Sequence, residues 1–377
     1  MEYDIRPAPL SASQTSLRVP SGRDNAYDLI RLVLALTVLE THLNLYIGNG
    51  PEWLSRFTKD HVTAGEFGVL GFFGLSGFLI STSCADLLCK PRGWLTFVRR
   101  RFFRIMPGFW ACLIITATVV APFLVVLYHR PLSSYDFWQV GGGWDYVRTN
   151  WWLLIRRYDI TGVLNTAPYG AINGNLWSLF PEVVCYGATL GMAALGLFGK
   201  NRWMAPALVG FLVALNIINQ TGPNHFYGPT AIVLNRWYYF FCAYFVGATF
   251  YCYREKFLLA DWRKTVFSGF LILFLLKFGG TYLAAPLLVP LFLLSAGQLF
   301  TVRMRYDLSY GLYIYGSPAL QIVTAIPLLR SHYSIYVISG VLLSFLMAFM
   351  SWVLIERPCM RIERKVLEKP FPVSSVT

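Results

Sequence analysis

Ten apolar runs punctuate the chain, at roughly 27–47, 65–84, 108–128, 177–198, 203–219, 232–252, 265–282, 284–300, 308–329 and 334–355. Each is about 17–22 residues long, the length a helix needs to cross a bilayer. In hydrocarbon every backbone N–H and C=O must bond within its own segment, so such runs form helices and not open strands. Composition agrees. Of 377 residues 56% are hydrophobic and 14% charged, where a soluble chain carries about 25% charged residues; mean hydropathy is +0.51. The expected fold is all-α, a polytopic membrane protein of about ten transmembrane helices. Residues 266–300 are nearly continuous, and the sequence from Lys277 through Gly279-Gly280 to Thr281 supplies the break between the seventh and eighth runs.

The net charge of +13 is distributed in a pattern. Lys and Arg concentrate in alternate connections: the N-terminal tail, 85–107, 199–202, 253–264, 301–307 and the C-terminal tail. Of the intervening segments, 220–231 has no Lys or Arg and 330–333 has Arg330 alone, while 129–176 has four Arg but is long enough for the rule to weaken. This is the positive-inside pattern with both termini cytoplasmic. The basic residues therefore point to topology and anionic lipid headgroups, not nucleic acid. Residues 1–24 are polar and Ser/Pro-rich and read as a disordered cytoplasmic tail before a retained first helix. A membrane domain is expected over 25–357, with 358–377 a cytoplasmic tail. The seven Cys are scattered, mostly inside or at the ends of apolar runs, with no His/Cys cluster of metal-binding spacing, so no metal site is expected.

The first run carries Arg31 and His42 in otherwise lipid-compatible sequence. Eleven helical steps separate them by about 16 Å and return to within about 20° of the starting direction, so both lie on one stripe. Glu40 falls on the opposite side. An ionisable residue at membrane depth costs about 2.5–3.5 kcal/mol on insertion scales and is a functional hypothesis by default. Arg31 alone is also explained by snorkelling to the headgroups, and His42 alone by a satisfied core or belt histidine. His61, His129, His225 and His332 fall in external loops. The external segment 129–176 places Trp144, Trp151, Trp152 and Ile155 at helical spacing. That spacing fits an interfacial amphipathic helix, or alternatively an aromatic platform facing a sugar.

Six motifs in chain order resemble the acyltransferase-3 family of membrane acyltransferases. They are Arg31-x10-His42; "GVLGFFGLSGFLI" (68–80); "FVRRRFFRIMPGFW" (97–110), with Arg101 and Arg104 as its R-x-x-R; "NGNLWSLFPEVVCY" (173–186); "LSYGLYIYGSP" (308–318); and "IERP" (355–358). The chain departs from the family pattern at Leu70, where an acidic residue is frequent, and is similar to the stand-alone branch without a C-terminal SGNH-type domain.

The resemblance implies an O-acetyltransferase of the bacterial inner membrane. Acetyl-CoA is then the cytoplasmic donor and an extracytoplasmic or lipid-linked glycan the acceptor: O-antigen, exopolysaccharide, or a lipo-oligosaccharide such as a nodulation signal. Guanidinium binds phosphate bidentately and stays charged, which suits Arg101 and Arg104 to CoA; topology and lipid binding explain the same cluster. Ser76 and Gly77 fit either a narrow wall for the pantetheine arm or close helix packing. Glu182, buried in an apolar run, either orients His42 or an acceptor hydroxyl, or pairs with an Arg. Trp177 and Tyr186 flank the site rather than react, and with Asn175 are expected to bind substrate. His42 is general base or transient acyl carrier, since acyl transfer to a hydroxyl needs a group that titrates near neutrality. A non-catalytic transporter or flippase of acyl groups or glycolipids is the reading from another class, although no paired broken helices or internal duplication of the transporter kind occur.

Overall fold

The computed structural model describes residues 25–165, 167, 169–221, 229–257 and 261–368. The expected N-terminal tail, His225 and the last nine residues of the expected C-terminal tail lie outside them. Among the described residues all regular structure is helical: α1 Tyr27–Ile47, α2 Trp53–Phe57, α3 Ala64–Leu88, α4 Gly93–Ile115, α5 Ala121–Leu127, α6 Gly143–Asn150, α7 Leu179–Ala194, α8 Met204–Thr221, α9 Pro229–Cys252, α10 Trp262–Phe278, α11 Thr281–Leu299, α12 Ser309–Ala325, α13 Pro327–Arg330, α14 Tyr333–Ser351 and α15 Arg357–Glu368. Each of the ten apolar runs contains one long helical segment. Among the described residues five segments are long and apolar enough to cross a membrane on those criteria alone: 27–47, 64–88, 93–127, 281–299 and 333–364.

Local chemistry sets the ends. α1 stops at Gly48, whose φ of +67° is the left-handed cap that glycine adopts readily. A capping box between Thr63 and Glu66 starts α3. The α10–α11 break falls where expected, with Gly279 and Gly280 at φ +102° and +87°. Glycine also sets the closest packing. A Cβ on Gly77 would strike the Tyr244 carbonyl, and one on Gly247 would strike the Gly74 carbonyl, so α3 and α9 meet backbone to backbone.

Two π-helical turns interrupt long rods: Thr116–Val120 joins α4 to α5, and Trp352–Glu356 joins α14 to α15. The rod thus runs past the domain boundary expected at residue 357, and α15 packs on α4. The external segment differs from the expected amphipathic helix. α6 ends at Asn150, whose buried side chain accepts from the Arg156 and Arg157 N–H groups (2.9 and 3.1 Å) and donates to the Arg157 carbonyl (2.7 Å). That side chain folds the chain back on itself and leaves Ile155 off the helix. Trp151 stacks on Trp110 with ring centroids 4.8 Å apart, while Trp152 is 75% exposed.

Candidate active site

On the side that the charge pattern makes cytoplasmic lies a cavity of about 650 Å³. α1 contributes Arg31, α3 Ser76, α4 Arg100, Arg101 and Arg104, α7 Glu182 and Tyr186, α12 Tyr310, and α15 Glu363 and Arg364. The three-residue spacing of Arg101 and Arg104 puts both on one face of α4, yet their surroundings differ.

Arg104 is held by two carboxylates, Asp307 at 2.5 Å and Glu356 at 3.5 Å, and lies over the Tyr310 ring. Arg31 reaches the same Asp307 oxygen at 3.5 Å. Asp307 stands just before α12, and its other oxygen accepts from the Ser309 hydroxyl at 2.7 Å. Burial pushes the Asp307 carboxyl up, but Arg104 and Arg31 outweigh burial and hold it well below the usual carboxylate range. The π-helical turn Trp352–Glu356 ends on Glu356, which also accepts from Ser351 at 2.9 Å. This network ties α1, α4, α12 and α14 together. Arg101, by contrast, donates to the Ser83 hydroxyl at 3.0 Å and has no carboxylate partner among the described residues. Its Nε is buried without a hydrogen bond.

Glu182 sits in the first turn of α7 and accepts from Ser76 at 2.8 Å and from Tyr186 at 2.5 Å. Of the partners foreseen for it, neither His42 nor an Arg is bonded to it among the described residues; it shares the cavity with Arg31. A smaller space of about 50 Å³ adjoins the large one, sharing Arg31, Glu182 and Tyr310 and reaching Ser178 and Tyr313. Gly77 lies in the α3–α9 contact and lines neither space. Trp177 packs on Phe240 with centroids 5.5 Å apart.

The outer end of α1 is organised by α12. Pro318 has no N–H and leaves the Ile314 carbonyl without its helical donor. The Asn173 side chain supplies one at 2.8 Å. Asn175 donates to the Tyr313 carbonyl at 2.8 Å, and the Tyr313 hydroxyl returns a bond to the Asn175 carbonyl, also at 2.8 Å. The loop so pinned presents Gly174 to His42: a Cβ on Gly174 would lie 3.2 Å from His42 Nε2. His42 Nδ1 is 2.8 Å from the Val38 carbonyl. That acceptor assigns the proton to Nδ1 and leaves the Nε2 lone pair facing the loop. Arg31 and His42 thus occupy two stations of one helix, three turns apart. His42 lines neither space.

The tryptophan-rich segment forms a separate cleft of about 490 Å³ against α4, lined by Trp138, Trp144, Trp151 and Trp152 among others. It shares no lining residue with the other two spaces. His61, His129 and His332 are exposed. Asp307, Glu356, Glu363 and Asn173 were given no role from sequence. For the two ion-pair acids the available signal was an acidic residue at the edge of an apolar run, on a basic side of the membrane.

Comparison with known proteins decides the family. The acyltransferase-3 profile, an acyltransferase domain, matches residues 24–356. The chain belongs to the acyltransferase-3 family. It is a membrane-spanning acyltransferase. It is 28% identical over 345 residues to a protein named O-acetyl transferase from Shigella phage Sf6, covering 89% of this chain and 96% of that one. It is 24% identical to Nodulation protein 10 of Rhizobium leguminosarum bv. viciae, covering 94% of this chain and 98% of the relative. No solved structure matches the chain.

Proposed function

We propose that this acyltransferase moves an acetyl group from cytoplasmic acetyl-CoA to a hydroxyl of an extracytoplasmic or lipid-linked glycan, in a bacterial inner membrane. One observation carries the reading: a single helix holds Arg31 in a guanidinium-lined cavity and, three turns outward, a histidine whose Nε2 is free. The phage relative's name supports acetyl as the group transferred. The Rhizobium relative's name keeps a nodulation signal among the candidate acceptors, beside O-antigen and exopolysaccharide.

In this reading Arg101 binds donor phosphate, since it carries charge and unused donors but no carboxylate. Arg104 holds the wall through Asp307 and Glu356. The pantetheine arm runs outward past Ser76, Glu182 and Tyr186 towards the Asn173–Asn175 loop, with Trp177 behind it. There His42 Nε2 takes the proton of the acceptor hydroxyl. The alkoxide oxygen attacks the thioester carbonyl, the C–S bond breaks, and the CoA thiolate leaves and regains a proton. With Nδ1–H fixed on Val38, the imidazolium is held in one orientation while it carries that proton.

The test compares the surface and secreted glycans of cells expressing wild type or His42→Ala by mass spectrometry. Loss of acetyl increments, with the variant inserted at wild-type level, is expected. An unchanged acetylation pattern removes His42 from the mechanism. An acetyl-imidazole adduct trapped on wild type without acceptor makes His42 a carrier and not a base. Acceptor movement across the membrane without acetylation favours the flippase reading.

A further inference from the structure

At the mouth of the 650 Å³ cavity the wall passes from α4 to α15, and Glu363 and Arg364 of α15 share that mouth with Arg100 and Arg101. Glu363 is only 4% exposed. Its Oε1 has no hydrogen-bond donor, and the nearest cation, Arg100 Nε, is 3.9 Å away, beyond hydrogen-bond reach. A buried carboxylate oxygen without a donor is costly in any fold. Arg101 Nε is likewise without an acceptor. Arg364 is exposed and has no carboxylate partner among the described residues.

The mouth therefore combines guanidinium groups holding unused donors with one buried acceptor holding an unused lone pair. A simple anion satisfies the first and is repelled by the second. A ligand that satisfies both carries anionic oxygens and an N–H or O–H donor at the same end. A nucleotide has this combination, in its phosphates, base amine and ribose hydroxyl.

We propose that α15 completes the donor site: Arg100 and Arg364 bind phosphates of a nucleotide-bearing thioester, and Glu363 accepts a hydrogen bond from the base amine or ribose hydroxyl of the same nucleotide. The inference rests on acetyl-CoA being the donor. It makes the C-terminal helix a specificity element of the reaction and not a tail.

The experiment measures kcat/KM of the purified full chain in lipid nanodiscs for two donors, acetyl-CoA and acetyl-pantetheine. They share the thioester arm, and acetyl-pantetheine lacks the nucleotide. Wild type is expected to favour acetyl-CoA strongly. Arg364→Ala and Glu363→Ala are each expected to lower the acetyl-CoA to acetyl-pantetheine ratio about tenfold, the size of one lost charge-assisted hydrogen bond. Glu363→Gln, which keeps an acceptor oxygen, is expected to recover part of the Glu363→Ala loss. Because Arg364 is exposed, its truncation removes no core packing. An unchanged ratio, or an equal fall for both donors, makes α15 a structural wall and overturns the proposal. A wild type that does not distinguish the donors overturns instead the acetyl-CoA reading on which it rests.

Discussion

The two ends of α1 carry the same kind of liability, an ionisable side chain in a membrane helix, and resolve it in opposite ways. Arg31 shares Asp307 with Arg104. His42 forms no ion pair among the described residues; its Nδ1 bonds to its own helix and its Nε2 meets a glycine. The charged end is cross-linked by ion pairs. The other end is built to keep one nitrogen available. In the proposed mechanism donor binding belongs to the inner end and proton transfer to the outer end, and each assignment can be broken separately.

The largest expected effect is at the outer end. His42→Ala is expected to lower turnover about 10²–10⁴-fold, the span of general base catalysis, in a steady-state acetyl-transfer assay. At the inner end Arg104→Ala acts on the fold. It strands Glu356 and leaves Asp307 with Arg31 alone, and breaking a buried pair costs about 3–5 kcal/mol. A lowered unfolding midpoint in detergent is the readout; an unchanged midpoint would show that the network does not hold the helices together.

Two smaller effects sharpen the contrast. Gly174→Ala pushes a methyl towards Nε2 and is expected to cut kcat about tenfold with little change in donor KM. Arg101→Ala is expected to do the reverse, weakening acetyl-CoA binding about tenfold while leaving the unfolding midpoint near wild type. If the two variants shift the same kinetic parameter, the division of labour along α1 fails.

The smallest effect concerns pH. The Asp307 carboxyl is held below its usual range in the folded chain. A depressed carboxylate contributes stability above its unfolded pKa, about 3.9, and loses it as pH falls through the lower folded value. Stability in detergent is therefore expected to be insensitive to this pair between about pH 5 and 8 and to fall below about pH 4. Asp307→Asn should lower stability at neutral pH and flatten the acid limb.

Much of the architecture was legible because bilayer length and backbone hydrogen bonding leave few choices. The ten runs each hold a helix, and Gly279-Gly280 breaks the longest run. The stripe shared by Arg31 and His42 was legible too, since helical periodicity is local. The pairing of Arg104 with Asp307 and Glu356 was not, because it joins residues more than 200 positions apart. Nor was the early end of α6, where spacing alone predicted a longer helix and one buried Asn side chain redirected the backbone. Asn175 was selected by motif, but its work, with Asn173, depends on the carbonyls beside a helix proline. Glu182 was foreseen near His42 or an Arg, and its hydroxyl donors come from α3 and from its own helix.

The separation of the two ends can be read in one protein. Purified His42→Ala in lipid nanodiscs, given radiolabelled acetyl-CoA, is measured for donor binding and for acetyl transfer to glycan acceptor. Binding at wild-type affinity with transfer lost is expected. Transfer that persists, or binding that disappears together with it, would contradict the claim that one helix carries donor binding at one end and proton transfer at the other.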